Sequence, residues 1–136
     1  MNPRTACVVI LTKMAIENGD LHGKEGKLID RMCTRLKLQR DKVEETARET
    51  HLAQVLESVV SRPDRMVVAF HAYLMAHIDG SFDDWEDELY TLVLTLLEIT
   101  PDDQTAIEGW AKHVLRGAGM PAAFSQVVAA SSFKGM

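Results

Sequence analysis

Six carboxylates crowd into the eleven residues from Ile78 to Glu88, IDGSFDDWEDE, directly after an apolar run. Carboxylate and carbonyl oxygens are hard ligands, so the chemistry on offer is the binding of a divalent cation such as calcium, magnesium or manganese. Asp79, Gly80 and Glu86 reproduce the second half of an EF-hand loop, an Asp-Gly with a glutamate six residues after the glycine. The first half is missing, because positions that demand acids hold Met75 and His77, and in a related upstream stretch Met14 and Ile16. Ordinary helix punctuation explains part of the same pattern. Gly80 and Gly19 suit the left-handed position that ends a helix, Phe82 and Leu21 can pin a loop to the core, and Asp83 with Glu86 forms a capping box. It does not explain Asp79, an acid at the negative end of a helix.

Other reactive side chains lack a working arrangement. His71 and His77 are six residues apart, which does not place two ligands on one helix face, and His22, His51 and His113 are scattered. These histidines are expected at the surface or at helix ends, with His77 a soft supplement to the acidic stretch. Cys7 and Cys33 have no neighbouring histidine and no zinc or redox spacing, and neither a Gly-x-Ser-x-Gly turn nor a phosphate loop occurs. The chain is therefore expected not to be an enzyme.

Those residues must be positioned by helices. Glycine and proline are confined to Gly19–Gly26, Pro63, Gly80, Pro101 and Gly117–Pro121, and the apolar period between them is helical. Val9, Thr12, Ala15 and Ile16 mark one face, Leu28, Ile29, Met32 and Leu36 a second, and Leu52, Val55, Leu56 and Val59 a third. Phe70, Leu74 and Ile78 mark a fourth, and Leu89, Leu92, Val93, Leu96 and Leu97 a fifth. Ser61 with Pro63 and Asp64, and Thr100 with Pro101 and Asp103, carry the signature of helix starts. The expectation is one all-α domain over 1–136, a bundle of about six or seven helices. Its last element is a short helix at about 120–134, docked on the bundle.

Shifting the chain by 61 residues lays Met14–Asp41 over Met75–Asp102 with eight of 28 positions identical. Gly19 meets Gly80, Glu25 meets Glu86, and Leu28, Leu36 and Asp41 meet Leu89, Leu97 and Asp102. Two pseudo-repeated helix-loop-helix halves, about 8–47 and 69–108, should pack face to face and bring both glycine loops to one region.

The 136 residues are 46% hydrophobic, sufficient for a core without disulfide or metal staples. A net charge of −5 without a sequence cluster of Lys and Arg argues against nucleic acid and anionic membranes as partners and favours cations and basic protein surfaces. The apolar run Ala6–Leu11 is cut short by Lys13 and Glu17, so it resembles neither a signal peptide nor a membrane span. With two cysteines expected to be buried thiols, the expected compartment is the cytoplasm.

An alanine- and aliphatic-rich helix ending in Asp-Gly-x-apolar-x-x-x-Glu and repeated once, clearest in MAHIDGSFDDWEDELYTLVLTLLEI, resembles the tellurite-resistance TerB and TerB-like proteins over roughly residues 5–117. The resemblance implies a two-half helical domain associated with metal or oxyanion stress, whose motif acids bind a divalent metal. Carried onto this chain, it places Asp79 and Glu86 from the second motif and Glu25 from the first in the site, and the expected metal set adds Asp83 of the same acidic stretch. Calcium, magnesium, manganese or zinc is the implied ion, no organic cofactor is implied, and a protein partner is. The first motif departs from the pattern: Asn18 stands where the family has aspartate, with Asp20 as its candidate replacement. The alternative expectation is a metal-free interaction module using the acidic loop.

Overall fold

α1 (Pro3–Asn18) starts where Asn2 caps it, the side-chain oxygen accepting from the Thr5 N–H at 2.9 Å with Pro3 in the first turn. α5 (Arg62–His77) starts the same way on Ser61, which accepts from the Asp64 N–H at 3.2 Å. In both helices burial runs without a break through two turns, Ala6 to Thr12 and Met66 to Tyr73. The single face expected on α1 is thus corrected to burial all round, the mark of a helix inside a core. α1 and α5 pack on one another, and the other elements surround this pair.

The structure is a computed structural model that describes residues 1–78 and 84–135, with 84–86 described through their backbone. It is all-helical, with eight helices and no strand among the described residues. α2 (Lys24–Leu36), α3 (Arg40–Glu49) and the five-residue α4 (Leu52–Leu56) follow α1. α6 (Asp84–Leu96), α7 (Pro101–Leu115) and α8 (Ala122–Ala129) follow α5. None is long and apolar enough to cross a membrane. α3 was not marked by an apolar face, since only Val43 and Ala47 are buried on it.

The helices recur in the 61-residue register. α5, α6 and α7 begin 59, 60 and 61 residues after α1, α2 and α3. Packing recurs too: within its own half α1 lies chiefly against α3 and then α2, and α5 chiefly against α7 and then α6. Just after α2 and α6, Lys37 and Glu98 have φ of 58° and 55°, the non-glycine residues with positive φ among those described. Each turn closes alike, the Leu38 N–H reaching the Cys33 carbonyl at 2.8 Å and the Ile99 N–H the Leu94 carbonyl at 3.0 Å.

The C-terminal segment is docked. Phe124 is fully buried and stacks on Phe70 with ring centroids 3.9 Å apart, with Trp110 at 5.5 Å. Beyond α8, buried Asp64 accepts from the Ser132 N–H at 2.6 Å and hydroxyl at 2.7 Å, and Phe133 is fully buried. Arg4 donates to the carbonyls of Ser132 and Lys134 at 2.5 and 2.8 Å, so the two chain ends hold each other. Arg62 clasps Asp103 through two hydrogen bonds of 3.0 and 2.7 Å, joining the starts of α5 and α7. That guanidinium holds the Asp103 carboxyl below the usual carboxylate range.

Candidate binding surfaces at the helix ends

The first glycine loop is built from backbone outward. Gly19 sits at φ 69°, a left-handed conformation that costs glycine no side-chain strain. Its N–H reaches the Ile16 carbonyl at 3.2 Å and the Asp20 N–H reaches Ala15 at 3.0 Å, which closes α1. The Asp20 carboxylate then turns forward to accept the Glu25 N–H at 3.2 Å. Asp20, the candidate replacement for Asn18, thus caps the start of α2.

Asn18 takes the place across the loop. Its side-chain amide donates to a carboxylate oxygen of Glu25, which is only 1% exposed. Arg40 braces the outside, donating to the carbonyls of Leu21 and Gly26 and to the carboxylates of Asp30 and Glu44. The approach is so close that a Cβ on Gly26 would lie 1.9 Å from the Leu21 carbonyl oxygen. Loop, α2 and α3 are thus locked together, with one acid of the predicted metal set, Glu25, held inside by an amide.

The remaining members of that set are placed by sequence alone. Asp79 and Asp83 lie outside the described residues, as does the side chain of Glu86, whose backbone belongs to the first turn of α6. Gly80 and Phe82 lie outside them as well, so the expected second glycine turn is not described. No group of three or more His, Cys, Asp or Glu side chains among the described residues could hold a metal ion. His77 stacks on Tyr73 with centroids 4.2 Å apart. His71, expected at the surface, is instead buried; its Nδ1 lies 2.9 Å from the Val67 carbonyl, and burial lowers its pKa. Cys7 and Cys33 are buried free thiols, both pushed up by desolvation, which suppresses the thiolate needed of a nucleophile.

Two grooves were not anticipated. The larger, about 600 Å³, lies where the C-terminal half of α1 meets α6, floored by Met14, Ile16, Leu52, Leu89 and Leu92. Lys13 and Arg48 stand on its α1–α3 side, Glu88 on its α6 side, and Glu17 and Asn18 near its end. Lys13 is partly buried and donates to the Ala47 carbonyl at 2.7 Å, and desolvation lowers its pKa. The smaller groove, about 490 Å³, lies where the end of α5 meets α2, and Lys24, Lys27, Asp30, Arg31 and Ile78 line it.

The grooves correspond through the repeat. Glu17, Glu88 and Leu92 of the first are each 61 positions from Ile78, Lys27 and Arg31 of the second. Glu88 and Leu92 stand where the second groove has the bases Lys27 and Arg31, and Glu17 stands where it has Ile78. Along α2, Lys24, Lys27, Arg31 and Arg35 are all exposed at helical spacing, a basic face that linear inspection of the charges missed. The detectable signal was the register itself, because Leu92 and Leu96 fall opposite Arg31 and Arg35.

No family model, curated protein or solved structure matches the chain.

Proposed function

We propose that this protein is a non-catalytic helical adaptor that binds a divalent cation at the acidic stretch after α5, through Asp79 and Glu86 with Asp83 beside them. The observation that carries the reading is the bond between Asn18 and Glu25. At the first loop an amide faces a glutamate, and the Asn18 side chain donates to the Glu25 carboxylate. At the corresponding sequence positions of the second half both residues are acids, Asp79 and Glu86. Two neighbouring carboxylates disfavour each other's ionised form, and a cation or a proton relieves them. Glu25 then serves as the structural counterpart of the site and not as a ligand.

The resemblance of the Asp-Gly-x-apolar-x-x-x-Glu pattern to the TerB-like proteins supports this assignment and suggests a cytoplasmic role in metal or oxyanion stress. With few protein ligands, the affinity belongs in the weak calcium-module range of about 0.1–1 mM. The test is thermal melting of chelator-treated protein with calcium, magnesium, manganese and zinc in turn. A tenfold excess over the dissociation constant should stabilise the folded state by about 1.4 kcal/mol. Asp79→Asn, which gives the second half the composition of the first, should remove that gain and raise the melting temperature of the metal-free protein. An unchanged melting temperature and no calorimetric heat with all four ions would reject the cation site.

A further inference from the structure

Leu92 and Leu96 are 46% and 38% exposed on α6, although the 61-residue register puts arginines at both positions on α2. The corresponding arginines of α2 are exposed and both leucines are left partly in solvent, so neither pair of positions is core. Leu92 lines the 600 Å³ groove, whereas Leu96, one turn further along, continues the apolar strip beyond it. A strip longer than the cavity fits an elongated occupant better than a compact one.

The rim identifies its class. Lys13 and Arg48 lie on one wall and Glu88 on the other, with Glu17 one turn from Lys13, so both signs of charge are present. Arg48 and Glu88 are exposed and make no ion pair among the described residues. An amphiphile with one anionic head would satisfy the cations and meet repulsion from the acids. A helix with an apolar stripe flanked by unlike charges satisfies both walls.

We infer that this groove seats an amphipathic helix of a protein partner, with acids on the flank facing Lys13 and Arg48 and bases on the flank facing Glu88. This site is separate from the cation site, and its test is run in EDTA so that the two succeed or fail independently. A displayed library of helices of about 14 residues, apolar along one stripe and varied among Glu, Lys and Gln on both flanks, is panned on the purified full chain. Enriched helices should carry acids on one flank and bases on the other. They should bind the Leu92→Arg/Leu96→Arg variant at least about tenfold more weakly, at an unchanged melting temperature. Arg48→Glu, a single exposed reversal, should favour bases on the flank that faces it and serves if the double variant does not fold. No enrichment, a single-sign charge pattern, or equal binding to the variants overturns the inference. So does displacement of the selected helices by decanoate at a 1:1 site, or sedimentation showing a dimer that the leucine substitutions dissolve.

Discussion

Lys37 and Glu98, 61 residues apart, take the same left-handed backbone conformation, at φ 58° and 55°, at the ends of α2 and α6. Each hands the chain to an aliphatic residue, Leu38 or Ile99, whose N–H closes on a carbonyl five residues back. Neither is glycine, so both helices stop against the steric cost of a side chain at positive φ. What ends them is the downstream packing of α3 and α7, which must turn back along α1 and α5.

Replacing Lys37 by glycine should therefore stabilise the fold. Strain relief at a left-handed residue exceeds the extra entropy of unfolded glycine, for a net gain of about 0.5–1 kcal/mol. Lys37 is exposed and makes no ion pair among the described residues, so little else is lost. Denaturant unfolding of Lys37→Gly measures this directly, and a midpoint at or below wild type contradicts the strain.

Converting Asn18 to aspartate should place acids in the first loop at the two sequence positions that carry Asp79 and Glu86 in the second. The Glu25 carboxylate would lose an amide donor and gain a like charge inside the protein, a cost of about 1–3 kcal/mol at neutral pH. The pH dependence has a definite sign. Repulsion raises a carboxyl pKa of the folded pair above its unfolded value near 4, so the folded state binds the extra proton more tightly. The deficit relative to wild type is then full above the raised folded value and shrinks as pH falls toward 4. Unfolding titrations of wild type and Asn18→Asp from pH 4 to 8 separate this from a simple packing defect, which would give a constant difference.

Truncating Phe133 should release the C-terminal segment from the bundle. The ring is fully buried, and loss of a buried phenylalanine costs about 3–5 kcal/mol. Because Ser132 and Lys134 accept from Arg4 while Ser132 donates to Asp64, the release should also loosen the start of α1. Hydrogen exchange on Phe133→Ala should show lost protection at both chain ends before the centre of α5. Protection confined to wild-type levels near residues 3–6 would mean the ends are held independently.

The predicted chemistry and the observed fold part at identifiable places. Helix starts at Ser61 and Thr100, the glycine stop at Gly19 and the 61-residue register were legible in sequence, because caps and left-handed turns act over one helical turn. Sequence also supplied the acids of the proposed cation site, and Asp79, Asp83 and the Glu86 side chain rest on it alone. Tertiary structure decided which faces meet solvent. It made α1 and α5 buried all round, turned Asp20 into a cap, paired Asn18 with Glu25, and left Leu92 and Leu96 partly uncovered at the register positions of Arg31 and Arg35. Local signals cannot carry that information, since whether a side chain is buried depends on helices brought beside it from dozens of residues away.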